Sequence, residues 1–246
     1  LAATGDDVRR FFYSHYAPNN AVLAVSGNIS LEHTKELAEK WFGSIPPREI
    51  ATRNYSPEPE ITQPRFLKVK GNVPAPLVSI AYPMAGCKDP GFPAADILTD
   101  ILAGDRSTRF HKELIMKGDL FAEADASVSG TEEPGFLLID ALLTDSADKA
   151  VDTALDRLNA QLQRIAVEPP ASEELERAIN KFESRFILST NSYLKIAEKL
   201  ALAEMQGDNI NDILPRYKAL TPEDIHLAAR QILVRAKACT LIYTPA

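Results

Sequence analysis

Apolar residues recur at helical spacing near the start of the chain and then give way to a short continuous apolar run. An acidic first turn followed by an apolar stripe predicts a helix over about 5–16. The run at 21–25 predicts a buried strand. A second helical stripe, which starts after Ser30 and stops at Gly43, predicts another helix. The apolar members of the first stripe are Val8, Phe11, Phe12 and Tyr16.

Further along the chain, strand-like runs occur in pairs and helical patterns occur in succession. The strand-like runs are 66–70, 77–82, 121–128, 136–143 and 238–243. The helical stretches are 92–102, 106–117, 146–166, 172–189, 191–206 and 222–234. This arrangement is typical of the α+β class. The pattern predicts a largely antiparallel sheet that is covered on one face by helices.

An internal repeat connects the two ends of the chain. The motif Thr-Gly-Asp-Asp-Val at 4–8 matches Thr-Pro-Glu-Asp-Ile at 221–225, and the apolar run at 21–25 matches the run at 238–242. Both pairs are 217 residues apart, as the distance from Thr4 to Thr221 shows. Helix caps are common, so coincidence is one explanation. A duplicated structural unit is the other, and we favour it.

The duplication also predicts a domain organisation. Residues 46–64 are rich in proline and polar residues without a sustained period, which indicates a linker. We therefore expect 1–45 to be the tail of a first unit and 65–246 to be a complete second unit. Most of the first unit would then be encoded upstream, in agreement with Leu1 rather than Met at position 1.

Charge and hydropathy exclude several classes of function. Asp and Glu outnumber Lys and Arg by 34 to 27, giving a net charge of -7, so nucleic acid is not an expected partner. No apolar run reaches the roughly 18–20 residues that cross a bilayer. Cys87 and Cys239 form one disulfide at most and do not decide the redox compartment.

Three motifs resemble those of the M16 zinc peptidases, the family of insulin-degrading enzymes, pitrilysin and the mitochondrial processing peptidases. They are Tyr-Ala-Pro-Asn-Asn-Ala at 16–21, Trp-Phe-Gly-Ser-Ile-Pro at 41–46 and Gly-Asp-Arg-Ser-Thr-Arg-Phe at 104–110. The resemblance covers essentially the whole chain. It implies two α+β halves that close around a chamber holding a short polypeptide substrate.

The resemblance places the zinc site outside this chain. In the family, the first half binds zinc through His-x-x-Glu-His and a later glutamate, which leaves one coordination position for a water molecule. This sequence contains no such motif; in the nearest string, which starts at His33, Leu37 stands where the second histidine would be. The resemblance therefore implies no metal site and no activity of this chain alone, with zinc in an upstream half.

The same resemblance identifies candidate substrate contacts. An Arg and a Tyr that often assist from the second half would fall at Ile115 and Ala122, so neither is matched. Either the alignment is shifted, or this half contributes only shape and backbone contacts, which we favour. A helix start after Gly104 could bind an anion or a peptide carboxylate, although a simple helix cap is the alternative. Serine hydrolysis is not expected, because Ser107 and His111 lack a third partner. The candidate substrate-binding residues are Gly104, Arg106, Ser107, Arg109 and His111.

The leading hypothesis is thus a non-catalytic C-terminal portion of an M16-like zinc endopeptidase, with the upstream half and a peptide substrate as partners. The alternative is a binding or assembly subunit with the same fold and no peptidase activity in any half. The presence or absence of His-x-x-Glu-His upstream would separate the two hypotheses. The family resemblance favours a bacterial periplasm or cell envelope, whereas the sequence itself specifies neither compartment nor peptide.

Overall fold

The structure, a computed structural model, describes residues 3–50, 55–118, 120–144 and 147–246. The chain divides into two compact units. One consists of Leu1–Pro59 and Phe186–Asp212, and the other of Glu60–Arg185 and Ile213–Ala246. The helices are α1 (Gly5–His15), α2 (Leu31–Phe42), α3 (Phe92–Leu102), α4 (Asp148–Val167), α5 (Ser172–Leu188), α6 (Tyr193–Gln206), α7 (Ile210–Lys218) and α8 (Pro222–Ile232).

A five-stranded sheet organises the larger unit. In the sheet order β1-β5-β2-β4-β3, only β1 and β5 are parallel, and the other neighbours are antiparallel. The predicted α+β class with a largely antiparallel sheet is therefore confirmed. The strands are β1 (Arg65–Gly71), β2 (Leu77–Met84), β3 (Phe121–Val128), β4 (Gly135–Leu143) and β5 (Cys239–Pro245).

Helices cover one face of this sheet. Alternate residues of β2, such as Val78 and Ile80, are fully buried, whereas their neighbours are only half-buried. The buried face packs against apolar positions of α3, α4 and α8, including Leu98, Leu158 and Ile225. Side chains alternate across a strand, so the half-buried neighbours point to the other face of the sheet. We call this second face, which these helices do not cover, the open face.

The smaller unit contains α1, α2 and α6. A capping box at the start of α1 pairs Thr4 with Asp7, and Ser30 caps α2. The strand predicted at 21–25 is absent, which corrects the expected helix-strand-helix tail. Residue Ala21 has an extended backbone, but no described strand lies beside this run, and a strand requires a neighbour to satisfy its backbone groups.

Two helices differ from their prediction. The helix predicted over 106–117 is shortened to 109–115 and takes π-helical geometry at His111–Ile115, because residues 105–108 form a turn around Asp105. Helix α7 was not predicted, since Pro215 lies within it and proline normally ends a helix.

The repeat is also visible in the local structure. Helices α1 and α8 both have 11 residues and begin with Thr–Asp capping boxes. A 3₁₀ turn follows each helix, at Pro18–Asn20 and at Arg235–Lys237. The two turns are again separated by 217 residues, from Pro18 to Arg235. The domain boundaries drawn from the repeat stay a prediction.

Candidate functional site

The predicted substrate-contact segment begins directly after α3. Gly104 has φ of +103°, a conformation that favours glycine, and a Cβ here would lie 2.9 Å from Lys181 Nζ. Asp105 accepts hydrogen bonds from the backbone N–H of Ser107 at 2.8 Å and from its hydroxyl at 2.5 Å. The serine donors are thus directed at a carboxylate of the chain itself.

The charge of Asp105 is stabilised by its surroundings. Partial burial raises its pKa, but the hydrogen bonds from Ser107 and the charge of Lys181 outweigh that effect, so the pKa is lowered. The Lys181 ammonium lies 3.4 Å from the Asp105 carboxylate. This turn therefore already contains an anion next to its donors.

Arg109 forms a bidentate ion pair with Glu174 on α5. Its Nε donates to Oε1 at 2.9 Å and its second guanidinium nitrogen donates to Oε2 at 2.7 Å. The two side chains are only 13% and 23% exposed. Glu174 also accepts the N–H of Ala171 at 3.0 Å. The hydrogen bonds from Arg109 hold the pKa of Glu174 below its usual value despite partial burial.

Among the predicted contacts, the side chains of Arg106 and His111 remain available to another molecule. Arg106 is exposed and His111 is half-buried, and neither side chain forms a hydrogen bond or ion pair within the described parts of the chain. Ile115 packs against the core, and Ala122 is exposed at an irregularity of β3. Contact of any of these residues with a substrate stays a prediction.

A buried polar cluster lies between α3, α5 and α7 and was not predicted from the sequence. Tyr217 donates its hydroxyl proton to Asp96 at 2.8 Å, and Phe182 stacks on the Tyr217 ring at 3.6 Å. Burial raises the pKa of Asp96. Asp100, one turn later, contacts Lys181 at 3.2 Å and also pairs with Arg185. The sequence signal for this cluster was the pair Asp96 and Asp100, which are four residues apart in the largely apolar helix α3.

The donor set of the described residues does not fit a metal ion. Within residues 3–50, 55–118, 120–144 and 147–246, no three His, Cys, Asp or Glu side chains are grouped to hold one. The His33 side chain is exposed and lies 3.3 Å from the Glu36 carboxylate. Neither Cys87 nor Cys239 forms a disulfide within the described parts of the chain. None of the described helices has the length and apolar character needed to span a bilayer.

Comparison with known proteins supplies the family. The family model described as "Peptidase M16 inactive domain" matches residues 2–182. The uncharacterized zinc protease YmxG of Bacillus subtilis is 24% identical over 241 residues, which cover 97% of this chain and 57% of YmxG. The crystal structure of a protease from Helicobacter pylori aligns with this chain at a TM-score of 0.88 and 22% sequence identity. The alignment covers 99% of this chain and 59% of the Helicobacter pylori chain.

An M16 inactive-domain structure from Pseudomonas fluorescens likewise covers 99% of the chain, with a TM-score of 0.85 and 17% identity. The chain covers 58% of that structure. It therefore spans little more than half the length of each of these proteins. At such identities the structural likeness shows the fold, whereas the family model matches most of the chain. The chain belongs to the M16 peptidase family and carries its inactive domain.

Proposed function

We propose that this chain is the non-catalytic C-terminal portion of an M16 zinc endopeptidase. An upstream half supplies the zinc site, and this chain closes the proteolytic chamber and contacts an extended peptide, with Arg106 and His111 as side-chain contacts. The zinc protease name of YmxG, of which the chain covers 57%, supports this proposal. Alone, the chain is expected to be inactive. A periplasmic or cell-envelope location remains part of the proposal.

The observation that carries the proposal is the exposed apolar face of α1. Val8 is 63% exposed, yet its equivalent in the repeat, Ile225 of α8, is 0% exposed. Phe12 is 50% exposed, and its equivalent Ala229 is 0% exposed. In α8 this face packs on the sheet and on α3 and α4. The same face of α1 would be buried by a sheet and helices of an upstream module.

The apolar run at 21–25 supports the same conclusion. Its equivalent in the repeat is β5, which lies between β1 and β2 and hydrogen-bonds to both. Ile242 of β5 is 2% exposed, whereas the equivalent Val25 is 45% exposed. We infer that residues 21–25 complete a sheet in the upstream module, with one parallel and one antiparallel neighbour.

The proposed domain boundaries are those predicted: 1–45 as the tail of the first half, 46–64 as the linker and 65–246 as the second half. Asn19 connects the proposed tail to the proposed linker, because its side chain is bonded to Arg48. The Asn19 amide donates to the Arg48 carbonyl at 2.8 Å, and the Arg48 N–H donates back to the Asn19 side chain at 3.0 Å. This pairing also gives a structural reason for the first asparagine of the Tyr-Ala-Pro-Asn-Asn-Ala motif.

Reconstitution with the upstream half tests the proposal. The 246-residue chain and the separately expressed upstream half should each be inactive on a quenched fluorescent peptide, and the mixture should hydrolyse it. Val8→Asp should reduce the restored activity severalfold by weakening association, whereas the control Arg10→Asp, on the opposite side of α1, should not. A mixture that binds tightly but stays inactive, with no zinc in either half, would favour the assembly-subunit alternative.

A further inference from the structure

The open face of the sheet presents its side chains in straight rows across all five strands. The strand register aligns Asp125, Asp140, Ser79, Leu241 and Leu67 in one such row, from β3 at one edge to β1 at the other. None of these five side chains is buried, so the row is accessible in the described structure. One row therefore changes from acidic at β3 to apolar at β1.

The β1–β5 end of the open face is mainly apolar and exposed, with Arg65 as its one charged residue. Leu67 is 59% exposed and Val69 is 37% exposed, although both lie within a strand. They adjoin Leu241 and Tyr243 of β5 in the sheet register. Contiguous apolar surface that is exposed on a protein is typical of interaction sites, unlike apolar side chains that are scattered singly.

The β3–β4 end of the open face is acidic. Asp125 lies directly opposite Asp140, and like charges in such cross-strand pairs are destabilising. Glu123, on the same face of β3, adds a third carboxylate. Among the described residues, no Lys, Arg or His side chain forms an ion pair with any of these three carboxylates. The Asp140 carboxylate accepts a hydrogen bond from the Ser79 hydroxyl, and the Asp125 carboxylate accepts one from the Ala126 N–H. A cation from outside the chain would therefore reduce the repulsion among these three carboxylates.

We propose that the open face binds an extended peptide with a cationic residue at the β3–β4 end and an apolar residue at the β1–β5 end. Three strand spacings separate Asp140 from Leu67, which is about 14 Å at roughly 4.8 Å per spacing. Residues i and i+4 of an extended peptide lie on one side and about 13–14 Å apart. The preferred ligand therefore carries Lys or Arg at i and a large apolar residue at i+4. This inference rests on the proposed function, because it names the class of peptide that the chain contacts.

The charge pattern argues against a second copy of the chain as the occupant. A symmetric dimer through this face would place carboxylates either against carboxylates or against the apolar end of the partner. The first arrangement is repulsive. The second buries three carboxylates of each copy against a single cation of the partner, because Arg65 is the one Lys or Arg that the five strands place on this face. The net charge of -7 adds a general repulsion between copies. A cationic, partly apolar peptide avoids both costs.

Binding of labelled peptides to the 246-residue chain tests the proposal. Fluorescence anisotropy would compare a nine-residue peptide carrying Lys at i and Leu at i+4 with twins in which Lys is replaced by Gln or Glu. The test variant is Glu123→Gln/Asp125→Asn. The matched control is Asp152→Asn/Asp156→Asn, which removes two exposed carboxylates from α4 on the helical side.

We expect the Lys peptide to bind most tightly and the Glu peptide most weakly. Each carboxylate removed in the test variant should weaken binding of the Lys peptide about twofold to fivefold, while binding of the Gln peptide changes little. The control variant should stay within about twofold of the unmodified chain. Added salt should reduce the difference between the Lys and Gln peptides.

Several results would overturn the proposal. These are equal affinity for all three peptides, no measurable binding of any peptide, or equal losses in the test and control variants. A chain that sediments as a dimer and binds the peptide only when it is diluted to a monomer would assign the face to a second copy. Restored peptidase activity without any preference for cationic peptides would refute this inference and leave the proposed function intact. Charge-selective peptide binding without restored activity would refute the proposed function and leave this inference intact.

Discussion

Removal of the Arg109 guanidinium gives a direct measure of what this residue does. In the structure it donates two charge-assisted hydrogen bonds, at 2.9 and 2.7 Å, to Glu174. Each such bond contributes about 1.5–3 kcal/mol. Glu174 keeps the N–H of Ala171 and has a side chain that is 23% exposed, so water replaces part of the loss. We therefore expect Arg109→Met to lower the free energy of unfolding by about 2–3 kcal/mol.

A double-mutant cycle separates this structural role from a role in substrate contact. Urea unfolding followed by circular dichroism would be measured for Arg109→Met, Glu174→Met and the double variant. The double variant should lose less stability than the two single variants combined, with a coupling energy of about 1–3 kcal/mol. Effects that add to within about 0.5 kcal/mol, or an unchanged urea midpoint for Arg109→Met, would refute the reasoning.

Three further outcomes follow from the structure. The unmodified chain should be more stable than Arg109→Met by the full amount above pH about 4.5, which is the ordinary pKa of Glu174. This difference in the free energy of unfolding should disappear as the pH falls through the lowered pKa of Glu174 in the folded state. A difference that stays constant from pH 7 to 3 would contradict this. Thr221→Ala should cost about 1 kcal/mol in a urea titration and raise the pKa of Asp224, which the Thr221 hydrogen bonds lower, in an NMR titration. Gly86→Ala should lower the free energy of unfolding by about 1–3 kcal/mol, because a Cβ would lie 2.1 Å from the Glu132 carbonyl oxygen; an unchanged urea midpoint would argue against that close approach.

Local signals were sufficient to predict much of the fold. The caps at Thr4 and Thr221 mark the starts of α1 and α8, because a side-chain oxygen is needed there to accept an unpaired N–H. The five strands of the sheet follow from apolar alternation and lie close to their predicted ranges. These features depend on residues that are near one another in the sequence.

Features that depend on distant partners were not predicted. The run at 21–25 has the composition of a strand, but pairing requires a neighbour that the described residues do not provide. Arg109 was predicted as a substrate contact, and its ion pair with Glu174 was not predicted, because the two residues are 65 positions apart. Asp96 likewise finds Tyr217 only through the packing of α3 on α7.

Hydrogen–deuterium exchange on α1 tests most directly the claim that this chain completes a second, homologous module. Exchange in peptides covering Gly5–His15 and residues 21–25 would be followed for the chain alone and with the upstream half, and Pro222–Ile232 would serve as the internal reference. We expect exchange in the first two regions to slow markedly when the upstream half is added, while the reference is unchanged. Exchange that is equally fast with and without the upstream half, despite tight association, would contradict the account.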